Sequence, residues 1–225
     1  MTQPQQLALP FPHQPDYAAE AFIEAPSNAD ASAWLARSPE WPARRLAVWG
    51  EAGCGKTHLL HRWASRSGAI LLDGRRIREL LPLPEQPLAI DDANAAGEAP
   101  LLHLVNAAAE ARRPVLLAAQ LPPARWAVGL PDLASRLRAT TAVRIFTPDD
   151  SLLRALLARL LAERRLSVSQ PIQDWLLLRL PRAPAAIREA VERLDRLTWQ
   201  SGRPIGRLAA AAILAEVQQG LASAD

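Results

Sequence analysis

The stretch Gly50-Glu51-Ala52-Gly53-Cys54-Gly55-Lys56-Thr57 follows an apolar run, Arg45-Leu-Ala-Val-Trp49, and opens Lys56 to Ser67, where Leu59, Leu60 and Trp63 recur at helical spacing. Strand, glycine-rich loop and helix in that order let backbone N–H groups turn inward around a β-phosphate while the helix presents its positive end. Lys56 is then placed to reach the β/γ oxygens, the Thr57 hydroxyl to ligate Mg²⁺, and His58 to continue the contact along the helix. Of the 26 basic residues 25 are arginine, and the one lysine is Lys56. A compact ammonium fits between phosphate oxygens where a broad guanidinium fork does not, so the exception falls where this chemistry requires it. The expected ligand is ATP or ADP with Mg²⁺.

Further short apolar runs lie at Ala69 to Leu72, Leu88 to Ile90, Val115 to Ala119 and Ala142 to Phe146, with a helical pattern over Glu98 to Arg112. Continuous apolar strands separated by helices predict a five-stranded parallel sheet covered on both faces. The third run ends in Asp91-Asp92, about 35 residues beyond Lys56. In such a Walker B element Asp91 holds the Mg²⁺ shell and Asp92 orients the attacking water. Gln120, ending the next strand, reads the γ-phosphate or is simply a polar loop residue. Arg136, in Leu133-Ala-Ser-Arg-Leu137, is either presented to a nucleotide on a neighbouring subunit or a solvated helix-end arginine.

From Pro148 the pattern is helical only. Asp149 or Asp150 caps a helix carrying Leu152, Leu153, Leu156, Leu157, Leu160 and Leu161 on one side; Ser169-Gln-Pro171 opens a second, Pro184 a third with Ile187, Val191, Leu194 and Leu197, and Ile205 to Val217 forms a fourth. The expected organisation is a tail over 1–27, rich in Pro and Gln, an α/β nucleotide-binding domain over 28–147 opened by a short helix capped by Asn28 or Asp30, and a small all-α lid over 148–225. The formal net charge is only +3 despite a sequence pI near 9.9, and no long block of basic residues marks a nucleic-acid groove. No apolar run approaches the ~18 residues that span a bilayer, so no membrane partner is expected. Met1 to Phe11 has no basic residue ahead of its apolar ones, so the expected address is cytoplasmic. Cys54 is the sole cysteine. His58 and His61 read as structural, and Trp49, Trp63, Trp175 and Trp199 as core or domain-contact residues.

Together these elements resemble the DnaA-type branch of the AAA+ P-loop ATPases, over about residues 28 to 219, carried by Gly53-Cys-Gly-Lys-Thr-His-Leu-Leu-His61, Leu-Ala-Ile-Asp-Asp92, Leu121-Pro-Pro123 and Asp132-Leu-Ala-Ser-Arg-Leu137. The resemblance implies phosphate and Mg²⁺ contacts at Lys56 and Thr57, a Walker B pair at Asp91 and Asp92, sensor 1 at Gln120 and the arginine finger at Arg136. Its lid arginine, sensor 2, falls on Ala185 in the ungapped register and on Arg188 after a three-residue shift, with Arg182 as a nearby substitute; without that arginine an ADP-held form is expected. Sensor 1 is acidic in the family and neutral here. The short interval from Lys56 to Asp91 leaves no room for the initiators' insertion for single-stranded DNA, and no helix-turn-helix domain follows the lid helices in this sequence. An origin-selecting initiator is therefore not expected. The tail segment Gln6-Leu7-Ala8-Leu9-Pro10-Phe11 looks like the clamp-binding peptide of regulators in this branch, with one glutamine amide and the apolar anchors Leu9 and Phe11. The implied role is a replisome-associated, nucleoid-located regulator of replication initiation that binds the sliding clamp and stimulates ATP hydrolysis by DnaA. The alternatives are a self-sufficient AAA+ ATPase of helicase or clamp-loader type and a small-molecule P-loop kinase. Self-association and direct DNA contact are left open.

Overall fold

A computed structural model describes residues 22–201 and 206–222. Five strands, β1 (Arg45–Trp49), β2 (Ile70–Asp73), β3 (Leu88–Asp91), β4 (Val115–Ala119) and β5 (Thr141–Arg144), form one parallel sheet in the order β2-β3-β4-β1-β5. Strand alternation divides the apolar runs between two cores. Leu46 and Val48 of β1, Ala89 of β3 and Leu116 and Ala118 of β4 face one layer, with Leu59, Leu60 and Trp63 of α2 (Lys56–Ser67) and Ala31 and Leu35 of α1 (Ala29–Ala36). The intervening Ala47, Leu88, Ile90, Val115 and Leu117 face the other, under Leu101, Leu104 and Val105 of α3 (Glu98–Glu110) and Leu133 and Leu137 of α4 (Pro131–Arg138). Both faces are buried, which is why these strands read as unbroken apolar runs. Burying each leucine contributes about 2 kcal/mol.

The lid packs α5 (Asp150–Glu163), α6 (Gln170–Arg179), α7 (Pro184–Ser201) and α8 (Arg207–Ala222) around Leu153, Leu157, Leu160, Ile187, Val191, Leu194 and Ile213. Of the two expected caps Asp149 serves: its carboxylate accepts from Leu152 N at 2.8 Å and from the Ser151 hydroxyl at 2.6 Å. These bonds hold the Asp149 carboxyl below the usual range. The fourth lid helix begins at Arg207 and runs to Ala222, later at both ends than the apolar pattern predicts.

Three expectations change. Asn28 does not cap α1 with its side chain; its Oδ1 accepts from Ala25 N at 3.1 Å and its Nδ2 donates to Ile23 O at 3.0 Å, fastening the segment that precedes the helix. Phe22 and Ile23 pack against the sheet-side and lid cores respectively, so ordered packing starts ahead of the expected boundary at residue 28. Trp199 is 82% exposed rather than a contact residue. Trp63 is buried as expected and stacks on Trp41, with ring centroids 5.2 Å apart. Among the described residues no helix is long and apolar enough to cross a membrane. The peptide Gln6, Leu7, Leu9 and Phe11 lies outside the described residues.

Candidate nucleotide-binding site

All five strands end on one edge of the sheet, and the glycine-rich loop leaves β1 there. Gly53 and Gly55 have φ of +76° and +106°, a left-handed conformation that a side chain strains. A Cβ on Gly50 would sit 2.3 Å from the Ile145 carbonyl oxygen, so the loop lies flush against the strand beside it. The loop turns its own carbonyls onto the lysine: Lys56 Nζ donates to Gly50 O and Glu51 O, each at 2.8 Å, with Cys54 Sγ at 3.8 Å. Burial pushes the Cys54 thiol up and Lys56 opposes that shift, leaving a neutral sulfur packed under the loop. Glu51 is tied across to Thr147, whose hydroxyl donates to its carboxylate at 3.2 Å.

Thr57 Oγ1 donates to Asp91 Oδ2 at 2.6 Å, bringing the first helical hydroxyl onto the end of β3. Two adjacent oxygen donors suit Mg²⁺, which takes few protein ligands and completes its shell with phosphate and water. The other Asp91 oxygen, Oδ1, accepts from Asp92 N at 3.0 Å. Asp92 has φ +45°, and its carboxylate is ion-paired with Arg75. Arg75 rides on a single 3-10 turn, Gly74–Arg76, pressed so closely on β3 that a Cβ on Gly74 would meet Asp92 O at 2.3 Å. Only Asp91 of the expected pair is therefore held beside Thr57. Gln120 stands exposed at the end of β4, between the ends of β1 and β3. Burial lowers the His61 pKa, and the Asp91 charge offsets part of that shift.

The lid closes over the loop from the other side. A Cβ on Gly53 would lie 3.1 Å from the Ala183 side chain, and Arg188 Nη2 approaches His58 Nδ1 at 3.2 Å. Of the two sensor 2 registers, Ala185 is exposed while Arg188 faces the loop. Arg182, the possible substitute, is paired with Asp150 on the outer surface of the lid. Phe22 reaches in beside His58, ring centroids 5.4 Å apart, with the Arg62 guanidinium 4.7 Å above its face. A small cleft results, walled by Phe22, Ile23, Cys54, His58, Leu156 and Arg188. Sequence reasoning missed Phe22, Ile23 and Arg75. The apolar pair Phe22-Ile23 inside the expected 1–27 tail was a legible signal for the first two, whereas nothing local marks Arg75.

Arg136 lies at the opposite edge. It occupies the last turn of α4, where Thr140 Oγ1 donates to its carbonyl at 2.9 Å immediately before β5 begins at Thr141, the partner of Leu46. The five residues of β1 put about 16 Å of strand between that edge and the phosphate loop.

This arrangement defines an α/β P-loop fold of AAA+ type with a helical lid. No family model matches the chain, and no curated protein sequence matches it. Among solved structures it is similar to domain III of the Thermotoga maritima replication initiation protein DnaA, with TM-score 0.74 and 17% identity over 92% of this chain and 99% of that one. AMPPCP-bound DnaA from Aquifex aeolicus gives TM-score 0.65 and 20% identity over 84% of this chain and 68% of that one. The RuvB Holliday junction branch migration motor of Thermotoga maritima gives TM-score 0.62 and 15% identity over 83% of this chain and 68% of that one. At these identities the likeness speaks for the fold.

Proposed function

We propose that the chain holds ATP or ADP in this cleft and acts in trans on DnaA, as a regulator of Hda type. In this reading backbone amides of residues 50–55 and the Lys56 ammonium take the β- and γ-phosphates, Thr57 and Asp91 hold Mg²⁺, and Arg188 closes the lid on the phosphates. Phe22 and Ile23 cover an adenine ring. The tail peptide Gln6–Phe11 tethers the chain to the sliding clamp, and Arg136 is offered to the nucleotide of ATP-loaded DnaA, so that initiation is restrained.

The observation that carries this reading is the place of Arg136, a sheet's length from the chain's own phosphate loop. In this reading a guanidinium at that edge meets a nucleotide held by another subunit, not the chain's own. The test is hydrolysis of DnaA-bound ATP with clamp loaded on DNA. The double variant Gln6→Ala/Leu9→Ala should lose clamp binding and stimulation while binding nucleotide normally; unchanged clamp affinity would refute the tether.

One observation favours a self-sufficient ATPase instead: loop, Thr57–Asp91 and a lid arginine meet in one place. Hydrolysis by the purified chain separates the two readings. The Arg75–Asp92 pair withholds the carboxylate that would orient water, so intrinsic turnover should be slow. Arg75→Ala should raise it by about twofold, in line with the ~0.5 kcal/mol worth of a largely exposed ion pair. A steady-state rate no higher than wild type would mean that the pair restrains nothing.

A further inference from the structure

Three adjacent strands, β4, β1 and β5, begin at the sheet edge opposite the phosphate loop, and the chain enters each of them through arginines: Arg112 and Arg113, Arg44 and Arg45, Arg136 and Arg138. Scattered along the sequence, they look like solvated helix faces; the sheet order gathers them. Arg44 and Arg112 take φ of +52° and +55° to enter their strands. Among the described residues none of the six forms an ion pair, whereas Arg62, Arg75, Arg154, Arg164, Arg182 and Arg193 all do.

Arg45 is the unusual member. It is 5% exposed, its Nε is buried without a hydrogen-bond partner, and its backbone belongs to the interior strand β1, between β4 and β5. Alternation puts its side chain on the face of Ala47, which shares a core with Leu137 in the last turn of α4, the turn that carries Arg136. Arg136 is close enough for its charge to lower the Arg45 pKa, although burial is the larger cause. One of these two like charges can move and the other cannot. Arg136 is half-exposed at a helix end, while Arg45 is fixed below it.

We infer that Arg45 is the positioning residue for Arg136: fixed at the start of β1, it holds the Arg136 guanidinium outward, and Arg136, rimmed by Arg44, Arg112 and Arg138, receives the polyphosphate of a nucleotide bound to a second AAA+ subunit. This rests on the trans reading above and adds the residue that aims the cation. A buried guanidinium without an ion-pair partner costs folding stability, and an anion bound at Arg136 offsets part of that cost. The rim steers an anionic partner face toward the pair.

The experiment compares Arg45→Met, Arg45→Lys and Arg136→Ala in the DnaA–ATP hydrolysis assay, with thermal melting and nucleotide affinity of each variant measured alongside. Arg45→Met should melt higher than wild type, bind its own nucleotide normally, and lower the maximal stimulated rate about tenfold. Arg45→Lys should retain most of that rate. A merely structural arginine would lose stability and leave the maximal rate alone, and that outcome overturns the inference. If Arg136→Ala abolishes stimulation and Arg45→Met does not, Arg45 has no positioning role although the trans reading stands. If Arg136→Ala has no effect, both fall. Should Arg45→Met not fold, Arg45→Gln carries the same comparison.

Discussion

Replacing Lys56 with alanine should weaken binding of the proposed ligand, ATP or ADP, by about a hundredfold or more. Lys56 is 8% exposed and its ammonium already makes two 2.8 Å bonds to Gly50 O and Glu51 O, so it is held against the loop. Phosphate oxygens entering the loop meet an oriented cation, and each charge-assisted bond they gain is worth about 1.5–3 kcal/mol. Two such bonds lost amount to a factor of roughly 10² to 10⁴. The alanine variant also frees the two carbonyls, which then face incoming phosphate as bare negative dipoles. Lys56→Arg should not rescue binding, because the guanidinium is too broad for the space above Cys54 Sγ, 3.8 Å from the lysine nitrogen. Calorimetry or fluorescent-nucleotide titration on the purified chain measures this. Affinity within a fewfold of wild type for Lys56→Ala would remove the nucleotide site from the account.

The phosphate loop was legible because its chemistry fixes residue types at fixed intervals. Glycines must stand where φ is positive, a lysine must open the helix, and Thr57 must follow it; the structure gives Gly53 and Gly55 that conformation and starts α2 at Lys56. The strands were legible for a different reason: sandwiched between helices, they have no polar face to interrupt the run, so β4 coincides with Val115–Ala119. Strand order was not. That Arg45 and Arg136 become neighbours follows from β5 adding beside β1, a pairing nearly a hundred residues apart that leaves no local pattern. The Arg75–Asp92 pair is hidden in the same way, since it depends on β2 ending beside β3. The lid arginine shows what sequence alone leaves undecided: Ala185 and Arg188 are three residues apart on α7, about 60° around its axis and about 4.5 Å along it. Which of them faces the loop is set by Ala186, Ile187 and Ala190 seating in the lid core.

If the chain acts in trans as proposed, Arg136→Ala should leave its own nucleotide binding unchanged and reduce the stimulated hydrolysis of DnaA-bound ATP by about a thousandfold or more, the range attributed to an arginine supplied in trans. The split follows from geometry. Arg136 sits where α4 hands the chain to β5, and its carbonyl is fixed by Thr140, so the helix end is rigid while the guanidinium is half-exposed. About 16 Å of strand separates that helix end from the loop that carries Lys56 and Thr57. A conservative change is equally informative. Arg136→Lys retains a charge but loses the fork that contacts two phosphate oxygens at once, so it should recover only part of the rate. Rapid-quench measurement with radiolabelled ATP on DnaA, at saturating regulator and clamp, isolates the chemical step from docking. A loss appearing only as a higher concentration requirement, with the maximal rate intact, would make Arg136 a docking contact and move the transition-state charge to another group.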